Sequence, residues 1–132
     1  MSIIPNNLKY CTSHEWIQSS FEDKEHYIVG ITDYAQNIIG DIVFIDLPDI
    51  DVFFKKGEEC AVIESVKAAS SVYMPISGKI VSINNELIKF PELVNNSPYE
   101  KGWLLKLKAS NKVELELLLN ANKYKISLEQ DL

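Results

Sequence analysis

The chain has 132 residues, 46% of them hydrophobic, with a net charge of −6 and a pI near 4.9. That length supports one domain around a single apolar core and excludes an enzyme of several domains. The acidic balance, with no cluster of Lys and Arg interleaved with aromatic residues, argues against a nucleic-acid partner and suits docking to proteins.

The opening stretch MSIIPNNLKY has neither the charged n-region nor the apolar h-region of a signal peptide. No apolar run reaches the length needed to cross a bilayer, so a cytoplasmic protein is expected. Runs rich in β-branched and aromatic residues, separated by polar or Gly/Pro breaks, predict strands at 14–18, 27–31, 42–47, 60–64, 72–74, 79–83 and 103–108. Between the second and third runs, TDYAQNIIG predicts a short helix that starts at a capping Thr32 or Asp33 and stops at Gly40. The stretch NNELIKFPELVNNSPY, punctuated by proline and asparagine, predicts a loop. At the end, SNKVELELLLNANKY predicts an amphipathic helix over about 110–124, with Val113, Leu115, Leu118, Leu119 and Asn122 near helical spacing behind Ser110 or Asn111. Cys11 and Cys60 lie far apart, form no CxxC, and are expected to be buried, reduced thiols.

One motif repeats. GDIVFID at Gly40 returns as GKIVSIN at Gly78, which suggests two similar halves of a β-sandwich. Between the copies stands Lys67, with no other charged residue from Ser65 to Gly78. By propensity EECAVIESVKAAS suits a helix, which would make Lys67 an ordinary charge flanking a stripe of Val62, Val66 and Ala69. Against this, Ser70 to Tyr73 lose helical preference before Pro75, and Gly57 and Gly78 bracket the segment. A strand, a tight turn and a returning strand over 62–72 fit those brackets better and put Lys67 at the tip. An exposed lysine there suits a swinging arm: with a long acyl group the side chain reaches on the order of a dozen Å, by summing bond lengths.

The stretches LKYCTSHEW, VGITDYAQNIIGDIVFIDLP, KGEECAVIESVKAASS, PISGKIVSINNEL, PELVNNSPY and GWLLKLKAS occur in this order from about Leu8 to Tyr124. Together they resemble the glycine cleavage H-protein family of lipoyl carriers, with ESVKA as the most specific motif. Val66 and Ala68 replace the methionines expected in a biotin carrier, and Val66 is not the acidic residue usual in lipoyl domains of 2-oxoacid dehydrogenases. The resemblance implies a mainly β, lipoyl/biotinyl-type barrel-sandwich hybrid, or hammerhead, with short flanking helices. It implies a single lipoyl-carrier domain over 1–132, the hammerhead spanning about 8–108 and the C-terminal helix about 110–124. It also implies lipoate on Lys67, Glu64 as a recognition residue for the lipoate-attaching enzymes, and a cleft at Ser13 and Glu15 for the aminomethyl cargo.

In that family glycine decarboxylase loads the arm, aminomethyltransferase unloads it to tetrahydrofolate, and dihydrolipoyl dehydrogenase reoxidises it, so the carrier itself is no enzyme. A carboxylate beside the cargo's amine favours the protonated form, which has no lone pair with which to expel the thiolate. Glu15 is the expected carboxylate. Ser71 stands where the family pattern KAxSD has an acid, which implies weaker retention of the cargo. Glu100 and Asp51 stand where glycines are common and are expected to need a backbone that other residues adopt less easily. The alternative reading is a lipoyl donor or relay, a substrate for enzymes that move the lipoyl group to other carriers.

Bland readings compete at several residues. His14 and His26 have no Cys, His or carboxylate at metal-ligand spacing and read as structural. Trp16 and Trp103 read as core anchors. Cys60 has no base near it in sequence, which leaves an enzyme as the least supported class.

Overall fold

The computed structural model describes residues 2–130. Alternating apolar residues build two antiparallel sheets. The larger, six-stranded sheet runs in the order β1 (Lys9–Tyr10), β2 (Glu15–Ser19), β3 (His26–Ile31), β9 (Leu105–Ala109), β8 (Gly78–Ile83) and β5 (Phe53–Phe54). The smaller, three-stranded sheet runs β4 (Ile42–Asp46), β6 (Glu59–Ser65) and β7 (Ala69–Tyr73). Their inner faces share one core, with Val29, Ile80, Leu105 and Leu107 from the larger sheet and Ile42, Ile63 and Val72 from the smaller. A second cluster of Leu8, Tyr10, Trp16, Ala121 and Tyr124 joins the first two strands to the C-terminal helix. Within it, Trp16 pairs with Gly30 across β2 and β3, and a Cβ on Gly30 would lie 2.6 Å from the indole, so only glycine fits.

The two copies of the repeated motif form β4 and β8, one in each sheet. Both carry an irregularity of register at the same place, between Ile42 and Phe44 and between Ile80 and Ser82. In each copy it lies between the second and fourth residues after the glycine, so the internal likeness extends to backbone geometry.

The expected helix after β3 is α1 (Asp33–Ile39), capped by Thr32, whose hydroxyl accepts the Ala35 N–H at 3.2 Å. The expected loop instead contains two short helices, α2 (Glu86–Lys89) and α3 (Leu93–Asn96), because Leu87 and Val94 are buried and each drags a turn onto the core. The C-terminal helix also needs correction. The stretch 110–124 is not one helix: Lys112–Leu117 form a 3-10 helix and α4 runs from Ala121 to Gln130. Leu119 and Tyr10 exchange both backbone hydrogen bonds at 2.8 Å, which diverts Leu119 into a β-bridge. Helix α4 can then start only beyond it, where the Asn120 side chain accepts the Lys123 N–H at 2.8 Å.

Candidate functional site

The segment around Lys67 is a hairpin. Strands β6 and β7 pair from Glu59↔Tyr73 to Glu64↔Ala69, leaving residues 66–68 as the tip. Ile63 and Val72 are fully or almost fully buried on the inner face, and this burial overrides the helical propensity of the Glu, Ala and Lys around them. Ser65 shapes the tip: its Oγ accepts the N–H of Lys67 at 3.3 Å and of Ala68 at 3.1 Å, while its own N–H donates to the Ala68 carbonyl at 2.8 Å. Lys67 is exposed, and among the described residues it forms no ion pair.

Its side chain does not hang free. Gly40, directly after α1, has φ +84°, and a Cβ there would lie 3.3 Å from the Lys67 Cε and 3.7 Å from its Nζ. Glycine therefore both ends the helix and gives the lysine stem a bed. Ile38 and Ile39, the last residues of that helix, line a cavity of about 100 Å³ between the sheets. Ile31, Ala35, Ile63 and Val72 complete its apolar wall, and Ser13, His14, Glu15, Ser70 and Ser71 supply its polar lining.

Glu15 is the dominant group there, with only 1% of its surface exposed. Ser13 donates its hydroxyl to Oε1 at 2.5 Å, and the Tyr73 N–H donates to Oε2 at 3.0 Å. Burial raises the carboxyl pKa above the ordinary value, and the hydrogen bonds from Ser13 and Tyr73 pull part of that back. Ser13 reaches its neighbour's carboxyl because the chain turns sharply at His14, whose φ of 76° lies in the left-handed region. That turn is held by the Thr32 N–H on the His14 carbonyl at 3.0 Å and by a 2.8 Å hydrogen bond between His14 Nδ1 and the Tyr124 hydroxyl.

The other expected residues fall in different places. Glu64 is exposed, in register with Phe44 on one side and Ala69 on the other. Ser71 lines the cavity, but its hydroxyl donates to the carboxylate of Glu59. Ser70, which sequence reasoning passed over, lines the same cavity and pairs with the buried Ile63. The alternation Ser70, Val72, Met74 was the signal for it, since Val72 and Met74 are plainly core residues. Asp51 does adopt the glycine-like backbone, with φ 75°, whereas Glu100 is not among the described residues with positive φ.

Cys60 is buried and Cys11 half-buried just beyond β1, and both are free thiols. Burial, reinforced by the Glu15 carboxylate, pushes each up to about 12, so neither is a ready nucleophile. Trp16 is a core residue, while Trp103 is half-buried with the Lys106 ammonium 5.2 Å from its ring centre. Among the described residues no cluster of His, Cys, Asp and Glu could hold a metal ion, and no helix is long and apolar enough to cross a membrane.

A hydrocarbon arm ending in a cation fits what surrounds Lys67. The lysine stem rests on Gly40, the adjoining turn of α1 gives an apolar path, and a buried carboxylate lies at the polar side of the cavity.

The glycine cleavage H-protein family model matches residues 8–131. The glycine cleavage system H protein of Photorhabdus laumondii is 50% identical over 131 residues, covering 99% of each chain. That of Serratia proteamaculans is 52% identical over 130 residues, covering 98% of this chain and all of its own. The crystal structure of a glycine cleavage system H protein from Mycobacterium marinum superposes with a TM-score of 0.82 at 31% identity, covering 98% of this chain and 100% of that one. With sequence, length and fold in agreement, the chain belongs to the glycine cleavage H-protein family.

Proposed function

We propose that this chain is the lipoyl carrier of glycine cleavage in the cytoplasm, with lipoate joined to the Nζ of Lys67. The observation that carries this reading is that the Lys67 stem lies against Gly40, the residue after Ile39, and Ile39 lines a cavity whose one carboxylate, Glu15, is buried. When bound, lipoate supplies a redox-active pair of sulfurs that accepts the aminomethyl cargo from glycine decarboxylase. Gly40 bears the stem of the arm, and Ile38 and Ile39 offer it an apolar surface. Glu15 would face the cargo's ammonium and, once ionised, would keep the proton on its nitrogen, so that no lone pair is available to expel the sulfur. Ser13 orients that carboxylate by its hydrogen bond, and Ser71 contributes polarity at the cavity with Glu59 behind it. The apolar walls exclude the water that would otherwise carry the cargo away.

Aminomethyltransferase and dihydrolipoyl dehydrogenase would be the partners that dock at the same exposed tip to unload the arm and return it to its starting state. Glu64, exposed near the tip, serves recognition by the lipoate-attaching enzymes. The chain makes and breaks no bonds of its own. A lipoyl relay would need the exposed lysine but no buried carboxylate, so the cavity at Glu15 favours the shuttle.

Intact-mass measurement of the protein from cells with an attaching enzyme tests the assignment. One lipoyl mass is expected on the wild type and none on Lys67→Arg; a modified lysine elsewhere would overturn it. Glu64→Ala is expected to fold normally and to be modified more slowly.

A further inference from the structure

The side-chain amide of Asn95, in α3, is used on both atoms. Its Oδ1 accepts the Ile42 N–H at 3.0 Å, while its Nδ2 donates to the Gly40 carbonyl at 2.9 Å and to Gln36 Oε1 at 3.0 Å. Gln36 in turn donates to Asp33 Oδ1 at 2.8 Å, in the first turn of α1. One planar group therefore holds both ends of the short link from α1 into β4, and ties it to the helix.

That link is where the hairpin tip is anchored. The Asp41 carbonyl, between the two clamped residues, accepts the Val66 N–H at 3.0 Å. Among the described residues this is the hydrogen bond by which 66–68 reach outside their own hairpin, the others at the tip running to Ser65. Gly40, whose carbonyl Asn95 holds, is also the bed of the Lys67 stem. Ser65 thus fixes the shape of the tip, and Asp41, next to the Ile42–Ser65 pair that ends the β4–β6 ladder, adds the bond that holds the tip itself to the link.

We propose that Asn95 is a positioning residue for the covalent loading of Lys67. Resting on the reading of Lys67 as the attachment point, it acts through the 40–42 link to set the pose in which the tip meets the attaching enzyme. An enzyme that acylates one amine must bring its activated carboxyl onto Nζ in line, so a tip that wanders binds productively in only a fraction of encounters. The loss then appears in the apparent KM for the carrier and not in kcat.

The test compares Asn95→Ala and Asn95→Asp with Asn84→Ala. Asn95→Asp keeps an acceptor for Ile42 and loses both donors. Asn84 is a buried amide of similar connectivity that donates to the Lys101 and Trp103 carbonyls at 2.8 Å each and accepts the Glu86 N–H at 3.3 Å, away from the 40–42 link and the hairpin in its hydrogen bonds. Amide hydrogen exchange on the unmodified proteins and steady-state lipoylation by an attaching enzyme are both measured. Both Asn95 variants are expected to speed exchange at Val66 about tenfold relative to Ile63 and to raise the apparent KM about tenfold with kcat unchanged, by loss of roughly one hydrogen bond's worth of order. Asn84→Ala is expected to lower the unfolding midpoint while leaving both readouts as in the wild type. Wild-type Val66 exchange and KM in the Asn95 variants, or an equal change in Asn84→Ala, would overturn the positioning role alone. A wild type that takes no lipoate at Lys67 would overturn the carrier reading and this role with it.

Discussion

The carboxylate of Glu15, in β2 of the larger sheet, accepts the backbone N–H of Tyr73, in β7 of the smaller, at 3.0 Å. An acid is thereby fixed to the strand that returns from Lys67, and its position follows that of the hairpin. The same bond satisfies an N–H on an edge strand that has no further strand to pair with. Structural closure and placement of the charge are one interaction.

The pH dependence of stability follows from the burial of Glu15. Its native pKa lies above the ordinary 4.5, so the folded state holds the proton more tightly than the unfolded chain. The corresponding stability is fully present below the unfolded value and is lost as pH rises through the native one, because the native state binds more protons in that window. Urea unfolding at pH 4 and pH 8 should show a decline in the wild type that is smaller in Glu15→Gln. An equal decline in both would assign it to other groups.

Retention of the cargo should depend on the same carboxylate. A charge-assisted hydrogen bond in a buried setting is worth about 1.5–3 kcal/mol, so its loss in Glu15→Gln should shorten the lifetime of the loaded form by about one to two powers of ten. Ser71→Asp adds a second carboxylate at the cavity that holds Glu15, and a second negative group there favours the protonated amine, so the lifetime should lengthen. Loading with glycine decarboxylase and following release of the labelled carbon without the transferase measures both. Wild-type lifetimes in both variants would remove the cavity from the protective role.

Asp51 carries a local conformational cost. With φ at 75° it occupies the left-handed region, and its ion pair to Lys79, at 4.0 Å on the surface, returns little. Asp51→Gly should relieve about 1 kcal/mol, offset in part by the greater freedom of glycine in the unfolded chain. A net rise of a few tenths of a kcal/mol in urea unfolding is expected, and a clear loss of stability would show that Asp51 is held there by something other than its backbone.

The sequence by itself determined the elements whose signals are local. Alternation located the main strands within one to three residues at their ends, Thr32 and Gly40 bounded α1, and the repeated motif fell on equivalent strands of two sheets. The isolation of Lys67 among small residues pointed to an exposed tip because a charge run or surface pair would have needed neighbours. Tertiary structure alone decided the rest, since it depends on contacts between distant residues. Leu119 stops being helical because Tyr10, at the other end of the chain, takes both its backbone groups. Ser70 lines the cavity because the register of β6 against β7 pairs it with Ile63. The raised pKa of Glu15 arises only when the two sheets close over it and remove water from its carboxylate.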